Sequence, residues 1–367
     1  MAYRELRNPQ ATRRLPSFGF EYFAVVMGTG IVAVLLPDLS ASLVPVAKVL
    51  WIFTASTLAA LFVGGGIWFA ARPERLSAIL DNKARLMFIG CVPMAISSTA
   101  NGVVHLEPTL FGTSTSEVMM WVLITNIMIS IGSGIYAPYR LFAHHIATLE
   151  ELDPTWLLPI VPAEVASFQV AVLAPHLPHG VAVNLIWAGY FLWAMSVPLA
   201  LSLIAVILLR LSVHRLFAPH LATSTWLILG PLGTGAASIL ALGVDLHKLD
   251  PSATTSALIG AGLIGAITLF AYGLWWLAVA GILSINYLRR GEYPFTMGWW
   301  GFTFPLGVLS SASWELAATT GAGFVAIIAH ALTLLLVGLW AVVASTTLLA
   351  LRPHLSRARD LEPSLAD

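Results

Sequence analysis

Glu164 is the one Asp, Glu, Lys or Arg that falls well inside a membrane-length apolar segment of this 367-residue sequence, two residues after Pro162. An acid in hydrocarbon is costly and marks a functional position by default. Three kinds of chemistry suit it: taking and releasing a proton in a coupled carrier, standing neutral against a neighbouring hydroxyl, or pairing with a basic group about two turns away at the membrane face. The hydroxyls of Thr29, Ser97, Thr234 and Ser310 are able to donate to an anion. With no Lys or Arg inside the membrane, attraction of an anion falls to these hydroxyls, to backbone amides freed at helix breaks, and to a basic rim. Weak sites of that kind suit conduction better than tight recognition. Phe304 stands directly before Pro305. At a constriction lined otherwise by smaller groups it would plug a narrow pore by excluding water; the plainer reading is a ring packed between helices.

The elements that must position these groups are broken apolar segments. Gly28, Pro93, Pro162, Pro231 and Pro305 interrupt five of them at intervals of 65, 69, 69 and 74 residues, and each interval holds two membrane-length stretches. A fixed period of two spans per unit is an internal repeat of helical hairpins. Proline within a span leaves a carbonyl unpaired, which is tolerable where the helix is buried in protein or lines a water-filled cavity. Each break lies about six to nine residues into its span, roughly 9–14 Å deep at 1.5 Å per residue. The residues before the breaks are Met27, Val92, Val161, Gly230 and Phe304, of which one is aromatic. Five such helices in register predict a pore lined by Gly28, Thr29, Pro93, Ser97, Pro162, Glu164, Pro231, Thr234, Pro305 and Ser310.

Composition sets the class. Hydrophobic residues make up 58% and charged ones 10%, against roughly 25% charged in a soluble domain. A span needs about 20 apolar residues, and ten stretches qualify: 20–36, 45–71, 86–104, 117–143, 156–175, 181–209, 222–243, 254–288, 297–316 and 324–351. The expected fold is therefore all-α and integral to the membrane, ten helices as five hairpins stacked about a central pore. Residues 1–19 are expected as a cytoplasmic N-terminal tail, 20–351 as the ten-helix transmembrane domain and 352–367 as a cytoplasmic C-terminal tail. Alternating the loops puts sixteen basic residues (Arg4, Arg7, Arg13, Arg14, Arg72, Arg75, Lys83, Arg85, Arg140, Arg210, Arg215, Arg289, Arg290, Arg352, Arg357 and Arg359) on one side and only Lys48 and Lys248 on the other. Basic residues stay cytoplasmic, so both tails are expected there, in a multi-pass cell-membrane protein.

The sequence offers little else. Cys91 is single, so no disulfide framework exists. His176 with His179, and His144 with His145, lack further ligands for a metal site; His330 suits an interhelical hydrogen bond. The glycines at 28–30 lack the rest of a dinucleotide fingerprint. There is no HExxH, G-x-S-x-G or CxxC, so no catalytic residue, cofactor or nucleic-acid partner is expected.

The strings FEYFAVVMGTGIVA at 20–33 and WWGFTFPLGVLSSAS at 299–313 resemble the first and ninth spans of the tellurite-resistance and dicarboxylate transporter family. That family includes plant slow anion channels, the yeast malate permease and fungal sulfite efflux pumps. The resemblance implies a homotrimer of ten-helix subunits in the lipid bilayer, each with its own central pore inside a quasi-five-fold ring of five hairpins and closed by a phenylalanine of the ninth helix, here Phe304. It also implies small inorganic or organic anions as substrates, such as chloride, nitrate, sulfite or malate. The alternative within transport is a proton-coupled C4-dicarboxylate carrier or sulfite exporter using Glu164. A membrane enzyme or receptor is the remote alternative. An ionised Glu164 on a pore wall would repel anions, which sets it apart from the rest of the pattern.

Overall fold

The computed structural model describes residues 18–144 and 148–361, with side chains to 351. Arg4, Arg7, Arg13, Arg14 and His145 lie outside the described residues, as do the side chains of Arg352, Arg357 and Arg359. The described chain is all-helical: α1 (Phe23–Leu39), α2 (Val44–Ala71), α3 (Glu74–Leu80), α4 (Lys83–Leu86), α5 (Cys91–Leu106), α6 (Thr115–His144), α7 (Pro162–Leu173), α8 (His179–Val213), α9 (Leu229–Leu249), α10 (Ala253–Arg289), α11 (Thr303–Thr320) and α12 (Gly323–Leu361). The last of these runs ten residues past 351.

Among the described residues eight helical stretches, not ten, are long and apolar enough to cross a membrane. The two that fall short are the expected fifth and ninth segments. In the fifth, a turn at 158–161 separates a 3-10 turn, Pro154–Leu157, from the 12-residue α7. In the ninth, Ser, Thr, Trp and Glu315 dilute the apolar character of residues 297–320. Both are nonetheless interior: ten of the twelve residues of α7 are buried, and so are Thr303–Ser313 of α11.

Burial separates two kinds of helix. The most apolar windows of Phe20–Leu39, Lys83–Leu106 and Pro219–Leu249 are 67%, 67% and 89% buried, whereas those of the other five stretches are 17–33% buried. Lipid takes the place of a protein neighbour on the second group, which carries exposed Phe53, Trp121, Phe142, Phe191, Ile264 and Ile327. In the interior, α1 packs on α5, α5 on α7, α7 on α9, α9 on α11, and α11 on α1. Each also packs on the helix that follows it, α2, α6, α8, α10 and α12 respectively. Close approach needs glycine at two of these contacts. A Cβ on Gly233 would sit 2.4 Å from the Leu309 backbone nitrogen, and one on Gly90 would sit 1.8 Å from the Leu158 carbonyl oxygen.

The expected breaks take a different form from a proline kink. Each interior helix is preceded by a 3-10 segment: Phe20–Tyr22, Met87–Gly90, Pro154–Leu157, Pro219–Ile228 and Met297–Phe302. Pro162 opens α7, and Pro93, Pro231 and Pro305 stand third in α5, α9 and α11. A proline in the first helical turn removes an amide that has no α-helical partner anyway, so the break is a change of winding rather than a gap. The junction amides are not freed either. Those of Phe23, Cys91, Leu229 and Thr303 bond carbonyls of their own 3-10 turns, and Val161 N donates to Leu157 O at 3.0 Å. The expected pull of free amides on an anion is corrected accordingly.

Candidate functional site

The five interior segments meet at one narrow point. Met27 of α1, Met94 of α5, Leu157, Leu158 and Val161 ahead of α7, Leu227 and Gly230 at the start of α9, and Phe304 with Pro305 of α11 enclose a space of about 10 Å³. That is room for no more than about one water. No charged group lines it. Three of the residues expected to face each other, Val161, Gly230 and Phe304, do so together with Met27. The fifth, Val92, gives way to Met94, since two residues along a helix is over half a turn of rotation.

Towards the 3-10 ends the narrow point widens into a vestibule of about 560 Å³, which shares Met27, Leu158 and Leu227 with it. Here the charge concentrates: Glu21, Lys83, Arg85, Glu151, Asp153 and His220 all line the wall. Arg85 Nη2 donates to Glu21 Oε1 at 2.9 Å and to the Phe18 carbonyl at 3.0 Å. Lys83 Nζ donates to Glu151 Oε2 at 2.6 Å. Asp153 accepts from Thr155 N at 2.8 Å, capping the turn that leads towards α7. Lys83 holds the Glu151 carboxyl below the usual range, while burial pushes Asp153 up against the smaller opposing effects of its Thr155 hydrogen bonds and the nearby Arg210 and His220. The vestibule therefore presents two ion pairs rather than two bare cations. Its partners come from different parts of the chain, so the pairs also tie α4 to the segment before α1 and to the loop before α7.

The other sequence-predicted residues are dispersed. Gly28 faces α11: a Cβ there would meet Thr303 Oγ1 at 2.1 Å and the Trp300 ring at 2.9 Å. Thr29 accepts from Trp340 Nε1 of α12 at 3.1 Å, and Ser310 is bonded to Thr333 of α12 at 2.6 Å. Those two hydroxyls are committed to an outer helix. Ser97 donates to Gln169 Oε1 at 2.8 Å and accepts from Asn126 Nδ2 at 2.7 Å, a buried network joining α5, α6 and α7. Pro93, Pro162 and Pro231 are buried. Thr234 is buried with no hydrogen-bond partner on its hydroxyl.

Glu164 is fully buried, and neither carboxyl oxygen has a hydrogen-bond partner. It forms no ion pair among the described residues, so the expected pairing with a basic residue at the membrane face is corrected: the basic groups of the mouth are engaged with Glu21 and Glu151. The Ser196 hydroxyl of α8 stands beside the carboxyl and donates to Ile160 O at 2.9 Å. Glu164 lines neither the narrow point nor the vestibule. The groups that sequence reasoning passed over are Glu21, Glu151 and Asp153. Glu21 was in view within the FEYF string, but at the edge of a span, where an acid is unremarkable.

The family model described as voltage-dependent anion channel matches residues 17–348. This chain belongs to that family, and it is a membrane anion transporter or channel. A sulfite efflux pump of Trichophyton rubrum is 29% identical over 336 residues, covering 89% of this chain and 88% of the relative. An uncharacterized transporter of Methanocaldococcus jannaschii is 26% identical over 341 residues, covering 91% and 95%. A malic acid transport protein of Schizosaccharomyces pombe is 22% identical over 309 residues, covering 80% and 69%. The chain is multi-pass, and the family is one of transporters and channels rather than enzymes.

Proposed function

We propose that each subunit passes small inorganic or organic anions, chloride, nitrate, sulfite or malate among them, along an axis enclosed by α1, α5, α7, α9 and α11, with Phe304 as the gate. The full arrangement is ten membrane helices as five hairpins in a ring, assembled as a homotrimer in the cell membrane with both termini cytoplasmic. The order of contacts, each interior helix on the next and the last on the first, supports the ring. Lys83 and Arg85 at the vestibule support a cytoplasmic position for the 3-10 ends.

The observation that carries the reading is the narrow point itself, to which all five interior segments contribute and where Phe304 is the sole aromatic. An apolar throat too small for a hydrated ion gates by excluding water. The test is anion flux through purified protein in liposomes, with voltage and proton gradient set independently. Phe304→Ala opens a water-filled path and raises flux per assembled protein. An assembled Phe304→Ala protein with unchanged or lower flux overturns the gate.

The second reading is sulfite export coupled to protons through Glu164. Relatives named as sulfite efflux pumps favour sulfite as a substrate, and the buried, unpartnered carboxyl favours a special role for Glu164. Its place away from both the throat and the vestibule favours passive flux over direct coupling. Flux that follows voltage alone means a channel, and flux that follows the proton gradient means a carrier.

A further inference from the structure

The first and last hairpins meet at α1, which packs on both α2 and α12, and between those two outer helices lies a groove of about 430 Å³. Its walls follow from helical spacing. α2 turns Leu50, Phe53, Thr57 and Leu61 to it, at i, i+3, i+7 and i+11, and α12 turns Trp340, Ala344, Thr347 and Leu351, at i, i+4, i+7 and i+11. Each series marks a single helix face and runs three turns, roughly 16 Å. Thr29 of α1 and Trp300, both nearly fully buried, form the floor. The groove presents no polar atom, and the N–H groups of its two tryptophans are taken up by threonines. Trp340 Nε1 donates to Thr29 Oγ1 and Trp300 Nε1 to Thr347 Oγ1, both at 3.1 Å. Neither water nor a polar ligand gains a hydrogen bond there. The volume falls in the range of roughly 300–1,000 Å³ usual for small-molecule sites. By contrast, the crevice between α6 and α8 holds about 100 Å³ and carries the hydroxyl residues Ser130 and Ser196.

The lip of the groove is continuous with the lipid-facing surface, since its Phe53 and Leu348 are both more than half exposed. Hydrocarbon therefore reaches it from the bilayer. Lipid tails are as apolar as leucine, so no hydrophobic force draws one in; what holds it is dispersion contact, which an unfilled groove forfeits along its whole lining. A helix of a neighbouring subunit does not fit. With its side chains a helix is about 10 Å across and would take on the order of 1,300 Å³ over the same length, about three times the groove. Tyr22, Leu61 and Leu351 mark the end beside the 3-10 segments, and Met297 there lines both the groove and the vestibule.

We propose that this groove is a binding site for one acyl chain of a phospholipid in the vestibule-side leaflet, lying along α2 and α12 with its tip near Leu50 and Trp340. The site goes beyond the anion path and does not depend on it. It nonetheless backs the throat. A Cβ on Gly28, beside the throat residue Met27, would sit 2.9 Å from the Trp300 ring, and the Trp300 carbonyl accepts from Thr303 Oγ1 at 2.7 Å, one residue before Phe304.

The experiment images the purified protein in nanodiscs of a phospholipid brominated midway along its chains, against the same lipid unbrominated. Bromine difference density is expected in the groove, stronger than at the α6–α8 crevice. Ala344→Phe places a ring in the groove and should remove that density, and native mass spectrometry should then count one fewer retained phospholipid per subunit. Groove density no stronger than at the α6–α8 crevice overturns the inference. So does an unbrominated chain in its place, meaning a fatty acid carried through purification, or side chains of a neighbouring subunit. An assembled Ala344→Phe protein that keeps the full density overturns it as well. If that variant does not assemble, the wild-type maps decide alone by the same comparison.

Discussion

The vestibule and the throat lie against each other and share three residues, yet they are opposite in character. One is wide and holds six acidic or basic side chains; the other is about 10 Å³, with no charge at all. The difference assigns separate tasks. On the proposed reading, recognition belongs where fixed donors and acceptors meet the anion, and the rate belongs where an anion would shed water against Met27, Met94 and Phe304. A variant in the throat should therefore change how fast every anion passes, and a variant in the vestibule should change which anion passes and at what concentration.

The largest effect is expected at Phe304. Phe304→Ala should raise the flux of all anions at least about tenfold, equivalent to ~1.4 kcal/mol off the barrier, with little change in their ranking. Phe304→Leu should fall between Ala and the parent. A change of ranking without a change of rate would reverse the assignment of tasks. At the vestibule, Lys83→Met should raise the concentration for half-maximal flux by about 1.4-fold to fivefold, the range for an interaction of an exposed charge worth roughly 0.2–1 kcal/mol, and leave the maximal rate alone. A loss of maximal rate with unchanged half-saturation would mean that Lys83 acts in the throat.

Glu164 tests the boundary of both regions, because it belongs to neither. Glu164→Gln should leave voltage-driven flux within about threefold of the parent, the amide keeping the shape of a buried group off the path. Loss of accumulation driven by a proton gradient, at normal assembly, would place coupling at Glu164 and make the protein a carrier. The smallest effect concerns pH. Lys83 depresses the Glu151 carboxyl, so their pair persists above the ordinary carboxylate pKa of about 4 and is lost only as pH falls through the depressed value. Glu151→Gln should thus leave the shape of the flux profile between pH 5 and 8 unchanged; a shifted midpoint in that window would show Glu151 titrating there.

The starts of α5, α7, α9 and α11 were legible in Pro93, Pro162, Pro231 and Pro305, because proline fixes its own backbone angle and fits a helix best in the first turn; the break expected at Gly28 is absent, since α1 runs through it unbroken. Hydropathy led to ten expected spans, of which eight are long and apolar enough among the described residues; α7 and α11 lie in the other two expected stretches, are shorter or more polar, and owe their place to burial by neighbours. The direction of each hydroxyl was not legible. Thr29 and Ser310 face α12, and Ser97 faces α6 and α7, because the rotation of a nearly all-apolar helix about its axis is set by packing rather than by an amphipathic stripe. The vestibule pairs escaped for a different reason: Glu21 with Arg85 and Lys83 with Glu151 are 64 and 68 residues apart, and nothing local in either partner names the other.

The segment Pro219–Ile228 is wound as ten residues of 3-10 helix, where runs beyond three or four are uncommon. At about 2.0 Å per residue it reaches roughly 20 Å, against roughly 15 Å for the same residues wound as α-helix. The surplus is close to one α-helical pitch, held like a stretched cord between Phe217 and α9. Two clamps on α10 keep it taut: Trp276 Nε1 donates to Thr225 O at 2.7 Å, and Trp226 Nε1 donates to Ser284 Oγ at 2.9 Å. Leu227 lies near the inner end of that cord and Gly230 two residues beyond it, so two indole hydrogen bonds outside the throat hold the segment that delivers both residues to it.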